Sequence, residues 1–563
     1  MDKAKGKHTE EDKLKDLLSK FSYLEKERKN WETEWQEIAD FVNPRRSNFN
    51  WNTEDRGKRT GTKIYDGTAQ NALQLLADGL LGYLVSPSSN WFKLTFENQK
   101  IGDLPGARMW LQEVEKILYW LFNHSNFYES ISQVFLDGGS IGTATLYIEE
   151  DLNEDGIHFS ARHPKEIYVQ ENRYGQIDTI YRKYYMPARE VIKAFGKDKF
   201  DDSFLERAKN EPYTPVVMLH VVVPREDRDY LKIDQKNKPY ASIYIMEEDR
   251  KLLREGGYDT NPYVVWRWRT NTDETYGRSP AWDALSDILK SQQMGKTLMK
   301  KAHQSVDPPV MYPAELTGQL QLDPGGRMPY RDPSRQVIPL NNGSNYPIGK
   351  DQEHEIKLSI KEHFRVDFFM MLSSMVGQKM TATQVVEMQS EKAAILGSVL
   401  GRLTNELLDP TFDRVFAIAQ KAGWLPPAPP ALMKYAGTEL KIDYIGPLAQ
   451  KQKQFINNQG LSQALGQVLP LAQFNQEILD LMNWDEVGEH ILRSTGAPET
   501  VIRSPEERQQ IRGQRAQMQQ AQMALQAGAA QADIMNKTSK APEKGSGAAK
   551  MMEQQEEEAK KQQ

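Results

Sequence analysis

The chain has 563 residues, a formal net charge of −6, a sequence pI near 6.0 and no cysteine. The lack of cysteine excludes disulfides, thiolate metal sites and cysteine nucleophiles, and it suits assembly in a reducing cytoplasm. The mild acidity excludes a uniformly basic nucleic-acid binder, because phosphate neutralisation dominates tight DNA affinity.

The length predicts roughly three or four domains. Met1–Glu11 is charged and has no apolar signal core. Leu14, Leu17, Phe21, Leu24, Trp31, Trp35, Ile38 and Val42 follow a three-and-four spacing interrupted by Arg28. That spacing predicts an amphipathic helix packed on its own subunit. The longest apolar stretch, Leu75–Val85, contains Asp78 and is far short of the roughly 20 residues that span a bilayer. Trp110–Phe122 reads as helix. Beyond Gly138-Gly139 the pattern turns to β, with strands expected at Thr143–Glu149, Gln176–Tyr185, Val216–Val223, Tyr240–Met246 and Pro262–Arg269. These elements predict a mixed α+β body within a predominantly helical chain.

A helix then starts at Ser279-Pro280, a hydroxyl cap before a proline that tolerates the first helical position, with Asp283 and Asp287 near the positive end of the dipole. It stops before Asp307-Pro308-Pro309, because proline supplies no donor. Pro308 to Lys350 is rich in Pro, Gly, Asp and Asn, with a strand expected at Val337–Leu340. In the next helix Ile356, Ile360, Phe364, Phe368 and Leu372 form an apolar stripe, opposite Lys357, Lys361 and Arg365. Ser373–Met380 reads as an exposed loop. Thr381 and Gln384 match a capping box, and Leu396, Val399, Leu400, Leu403 and Leu407 carry a long helix to an expected stop at Asp409-Pro410.

Gly423 and the Pro426–Pro430 cluster precede a further helical segment at Ala449–Leu492. From Ser504 the chain is rich in Gln and Ala, and Ala541–Gln563 is expected to be disordered.

Sharper chemical motifs fail on context. Gly295-Lys296-Thr297 imitates the end of a phosphate loop, but Lys290 stands where the first glycine belongs and no strand precedes it. Asp151, Asn153, Asp155 and Gly156 imitate a calcium loop, yet Arg162 occupies the bidentate glutamate position, so a hairpin turn is the better reading. Gly138, Gly139 and Gly142 precede a strand instead of a helix, which points to close backbone packing. His354 and His363 are too far apart for a two-histidine zinc helix. No catalytic residue, metal ligand or cofactor is assigned.

Taken in order, Tyr65-Asp66-Gly67-Thr68-Ala69, Leu76-Ala77-Asp78-Gly79-Leu80, Ser86-Pro87-Ser88-Ser89-Asn90-Trp91-Phe92, Tyr276-Gly277-Arg278-Ser279-Pro280, Val306-Asp307-Pro308-Pro309, Met380-Thr381-Ala382-Thr383-Gln384-Val385, Gly401-Arg402-Leu403 and Tyr444-Ile445-Gly446-Pro447-Leu448-Ala449 span most of the chain. Their order and spacing resemble the portal (head-to-tail connector) proteins of short-tailed bacteriophages. The resemblance implies an α+β, portal-type subunit of a dodecameric ring at one capsid vertex. Double-stranded DNA would pass through it during packaging and ejection, without catalysis by this chain.

On that template residues 1–278 are the wing, 279–306 the first stem helix, 307–350 the clip and 351–372 the second stem helix. Residues 373–381 are a channel loop, 382–420 a long wing helix, 421–503 a crown-side helical region, and 504–563 a Gln/Ala-rich helix with a disordered tail. Asp307, Pro308 and Pro309 would bound the clip, Ile356, Ile360, Phe364 and Phe368 would form the stem stripe, and Met375, Gln378 and Lys379 would lie in the channel loop. Gln378 and Lys379 would contact the DNA backbone without reading bases. The implied partners are further copies of the chain, double-stranded DNA, the large terminase motor, major capsid and scaffolding proteins and tail adaptors, with no membrane. The site would be the virion, after assembly in the bacterial cytoplasm. The competing readings are a DNA-packaging nuclease or ATPase and a tail adaptor that forms no pore.

Overall fold

The apolar stripe of the first helix, α1 (Glu10–Val42), has a single cation in it, and that cation is fully buried. Arg28 donates to the carbonyl oxygens of Pro164 at 3.2 Å, Lys165 at 2.7 Å and Ile167 at 2.7 Å, pairs with Glu32, and lies 3.4 Å over the Tyr168 ring. A buried guanidinium is tolerable only when its donors are satisfied in this way. The interruption in the stripe is therefore the point that fixes α1 to the body of its own subunit.

The structure is a computed structural model, and it describes residues 10–49, 61, 64–98, 101, 104, 106–151, 156–232, 234–306, 310–311, 338–339, 346–374, 397, 399–433, 440–445, 483–494, 503, 505–538 and 547–560. The chain forms two compact units, Met1–Ser462 and Gln463–Gln563, fewer than length alone suggests. In the first unit the largest apolar cluster draws residues from Ile38 to Leu432, and three smaller clusters lie under α1 and the sheets.

In that unit α2 (Thr68–Leu84), α3 (Ala107–His124) and α4 (Phe127–Ser140) pack around Trp91, Phe92, Phe122 and Phe127. Strand β1 (Phe92–Phe96) lies between α2 and α3 in sequence. Next come β2 (Thr143–Asp151) and β3 (Gly156–Arg162), an antiparallel hairpin whose connecting residues 152–155 lie outside the described set. Strands β4 (Ile167–Glu171), β5 (Ile177–Pro187), β6 (Pro215–Pro224), β7 (Tyr240–Met246) and β8 (Lys251–Tyr258) form an antiparallel sheet in sequence order. β9 (Tyr263–Arg267) returns to pair with β2, giving a second sheet ordered β3-β2-β9. One face of the five-stranded sheet packs Tyr168, Tyr181, Leu219 and Val221 against Phe21 and Leu24 of α1. Short helices α5 (Ala188–Phe195) and α6 (Asp202–Asn210) cover Met218, Met246 and Leu253.

The five strands read from the sequence between Thr143 and Arg269 are present, a short strand at Ile338–Pro339 falls within the expected Val337–Leu340, and the other six strands of the described chain are additional to them. The glycines of the α4–β2 junction do serve close packing. A side chain on Gly138 would collide with Trp266, one on Gly139 would meet Leu73 at 2.8 Å, and Gly142 has φ +95° with its backbone against Gly277.

Ser279 caps a one-turn helix, Pro280–Asp283, by accepting from Trp282 N at 3.1 Å, and it donates to Ser140 O at 2.6 Å. Helix α7 (Leu285–Val306) follows, then the paired β10 (Val310–Met311) and β11 (Ile338–Pro339). After them come α8 (Tyr346–His363) and α9 (Val366–Ser374). Helical residues 399–403 lead through a π turn at Thr404–Leu408 into α10 (Asp409–Lys421). Strand β12 (Leu440–Tyr444) pairs antiparallel with β1.

The helix stop expected at Asp409-Pro410 is absent, and the chain stays helical through it. Pro410 has no N–H and its ring would strike the carbonyl of Glu406 in a regular helix. One extra residue per turn relieves that clash, with Asp409 N–H reaching back to Thr404 O.

The second unit contains α11 (Trp484–Ser494), α12 (Pro505–Thr538) and α13 (Gly547–Lys560). Arg508 and Arg512 of α12 pair with Asp485 and Glu489 of α11. Helix α13 corrects the expectation of disorder over residues 547–560, where Ala, Met, Gln, Glu and Lys are all good helix formers; the rest of Ala541–Gln563 lies outside the described residues. Among the described residues no helix is long and apolar enough to cross a membrane.

Candidate functional site: the helix pair around the insertion

Helices α7 and α8 flank the Pro/Gly-rich insertion and pack side by side. Asp287 in the first turn of α7 accepts from Ser359 Oγ, near the end of α8, at 2.7 Å, so the two helices run antiparallel. Burial would raise the Asp66 carboxyl, but hydrogen bonds from Ser291 and Thr68 and the charge of Lys357 outweigh it and hold the group below its ordinary value. Gln292, nearly buried, accepts from Tyr65 N at 2.7 Å and Asp66 N at 3.0 Å and donates to Asp66 O at 2.7 Å. Lys357 of α8 bridges Asp66 at 3.5 Å and Glu353 at 2.8 Å. The Tyr65–Thr68 motif is therefore the anchor that holds both helices at the start of α2.

The apolar stripe of α8 faces this body. Ile360, Phe364 and Phe368 are buried and Ile356 is partly buried against the same core. The stripe is not one straight helix, which corrects the sequence reading. It breaks at Phe364-Arg365, where Arg365 takes a left-handed φ of +57°. The buried set Phe364, Val366, Phe368 and Phe369 explains the break. At about 100° per residue Phe364 and Val366 would point to nearly opposite sides of a regular helix, and the change of axis helps bring both into the core. Phe369 fills the space above Gly79 of α2, where any side chain would collide with its ring.

Two further differences concern boundaries. Helix α8 begins at Tyr346, inside the segment expected to be insertion, and Ser373 and Ser374 end α9 instead of opening a loop. Asp307, Pro308 and Pro309, the loop residues Met375, Gln378 and Lys379, and the Thr381–Gln384 capping box lie outside the described residues. Between α7 and α8 a groove of about 470 Å³ is lined by Leu289, Lys290, Gln293, Met294, Thr297 and Ile356.

The segment behind this pair is held by a charged node that sequence reasoning missed. Arg267, 2 % exposed, donates to Glu406 Oε1 at 2.8 Å, Thr275 O at 3.2 Å and Gly175 O at 2.9 Å, and it pairs with Glu171. Glu406 also accepts from Arg267 N at 3.0 Å and Arg402 Nη1 at 2.6 Å. The π turn thus points a carboxylate at β9. Its only sequence signal is a glutamate four residues before a proline. Asp137 is a fully buried carboxylate, pushed up to about 6 by burial against the opposing pull of Arg46 and Gln133. His354 and His363 both lie on α8, and among the described residues no group of three His, Asp or Glu side chains is placed to hold a metal ion.

These arrangements are mechanical: helices clamped by ion pairs, with breaks that aim buried rings. The sequence matches the family described as bacteriophage head to tail connecting protein over residues 14–502. It is 33% identical over 529 residues to the portal protein of Salmonella phage epsilon15, covering 92% of this chain and 93% of that protein. It is 30% identical over 530 residues to the probable portal protein of Bordetella phage BPP-1, covering 91% and 93%. It is 23% identical over 442 residues to the portal protein of Enterobacteria phage T3, covering 73% and 75%. The chain belongs to the bacteriophage head-to-tail connecting protein family, a structural component of the virion at the junction of head and tail.

Proposed function

We propose that copies of this chain close into a dodecameric ring at one capsid vertex and that double-stranded DNA passes through its centre during packaging and ejection. The observation that carries this reading is the antiparallel α7–α8 pair with an insertion at its tip, clamped to α2 through Asp66, in a chain of the head-to-tail connecting family. Head-to-tail contacts between unlike surfaces of identical subunits close into rings with a central opening. On this reading α7 and α8 are the stem, the residues between them are the clip that meets the terminase motor and tail adaptors, and the body before them is the wing. Residues 421–503 are the crown-side region. Met375, Gln378 and Lys379 form the loop in the channel. The subunit is a passive wall, with translocation driven by the motor that docks on it, and assembly takes place in the host cytoplasm.

The test is electron microscopy of the purified chain with averaging of end-on views. Closed rings with a pore wider than a DNA duplex support the conduit. Compact particles without a pore, together with metal-dependent DNA cleavage or ATP turnover, would replace it with an enzyme.

A further inference from the structure

Strand register lines up four residues in one row across the five-stranded sheet. Arg182 of β5 lies opposite His220 of β6, His220 opposite Tyr244 of β7, and Tyr244 opposite Arg254 of β8. Directly opposed residues share a face. The middle of the row is closed. The His220 ring stacks on Tyr244 at 4.2 Å and 5°, and its nitrogens are engaged by Tyr263 Oη at 2.8 Å and Ser242 Oγ at 3.0 Å. The ends of the row are cationic. Arg182 lies 4.2 Å over the Tyr184 ring, and Arg254 lies 4.9 Å over Tyr244 and 5.0 Å over Phe195.

A third guanidinium arrives from the other sheet. Arg162, the last residue of β3, stands 5.1 Å over the Tyr147 ring with its Nε buried and without a hydrogen-bond partner. Burial and the positive charge of Arg182 hold Arg162 below its ordinary value, and all three arginines help burial to keep His220 neutral, down at about 3. Against these three cations, Glu166 pairs with Arg182 at 2.9 Å, and the charges of Glu166 and Glu149 also favour the charged form of Arg162. Among the described residues no carboxylate lies within ion-pair distance of Arg162 or Arg254.

Like charges gathered on one partly buried face are costly unless an anion sits among them. Planar guanidinium forks also match the oxygens of phosphate and carboxylate in a bidentate way. We propose that the face shared by the end of β3 and the Arg182–Arg254 row is an oxyanion site that takes a phosphate or carboxylate group, with Arg162 as its principal donor.

The experiment follows thermal unfolding of the full chain in inorganic phosphate and, separately, in glutarate, each against sodium chloride at equal ionic strength. Phosphate strengthens folding generally, so the informative quantity is the difference between variants. Wild type is expected to gain about 3 °C over the chloride reference, and Arg162→Gln to lose that gain. Arg173→Gln, an exposed arginine outside the arginine row, should retain it. A response to phosphate alone assigns the site to a phosphate, and a response to glutarate assigns it to a carboxylate such as an acidic side chain of a neighbouring protein. Equal gains in wild type and Arg162→Gln, or no gain in either, overturn the proposal. Should Arg162→Gln not fold, Arg254→Gln, the exposed end of the row, takes its place under the same criterion.

Discussion

Gly142 and Gly277 cross with their backbones in contact, each occupying the space where the other's side chain would be. The crossing is fixed on both sides, since Trp268 N donates to Gly142 O at 2.9 Å and Gly277 N donates to Thr143 Oγ1 at 2.8 Å. It sets the distance between β2 and the segment that leads into α7, and so the position of the helix pair relative to the sheets.

Gly142→Ala should therefore destabilise the chain by about 3 kcal/mol or more, combining the strain of a left-handed φ with a backbone collision. Urea unfolding followed by tryptophan fluorescence measures it. A loss under about 1 kcal/mol would mean that the crossing can open without cost.

Glu406→Ala should cost about 3 kcal/mol, because it removes a carboxylate and leaves the buried Arg267 with Glu171 as its remaining carboxylate partner among the described residues. Replacing Arg267 and Glu406 together by methionine and leucine should cost less than the single change, since no buried charge is then left over. The double-mutant comparison, read by the same unfolding assay, decides whether the node acts through charge or through packing.

Asp137 gives a pH dependence of known sign. Its carboxyl is raised from 3.8 to about 6 in the folded chain, so the folded state binds the proton more tightly than the unfolded one. Its contribution is fully present below pH 3.8 and is lost as pH rises through about 6. His163 and His220 act the other way: burial lowers both from 6.5 to about 3, so their contribution is present above pH 6.5 and is lost as pH falls towards 3. Measured from pH 7 to pH 4, the stability of wild type relative to Asp137→Asn should rise on acidification. A flat difference curve would show that Asp137 titrates normally.

Lys379→Ala tests the channel loop. Ring assembly, judged by end-on micrographs, should be unchanged, while the amount of DNA retained in assembled heads should fall. Failure of the variant to form rings would make the loop structural and remove it from the channel.

What was legible in the sequence was local. The Ser279-Pro280 cap and the β pattern after Gly138-Gly139 each rest on neighbours in the chain, and each appears as a definite feature of the fold. What was not legible depends on partners far away. Arg365 carries no helix-breaking signal, and the break follows from four residues that must all reach the same core. Pro410 reads as a stop by local rules, and it becomes a π turn because the helix is held on both sides, with Val399 and Leu403 before it and Phe412 and Val415 after it all buried in one core. The arginines at 162, 182 and 254 lie on separate strands with no common spacing, so only the register brings two of them into a single row.

The pairing of β1 with β12 joins Phe92 to Tyr444, with Ile445 N donating to Trp91 O at 2.9 Å. Trp91 in turn stacks at the centre of the helical core against Phe127 and Tyr444. During synthesis this core therefore stays open while most of the chain is made, and it closes only once the segment around Tyr444 has left the ribosome.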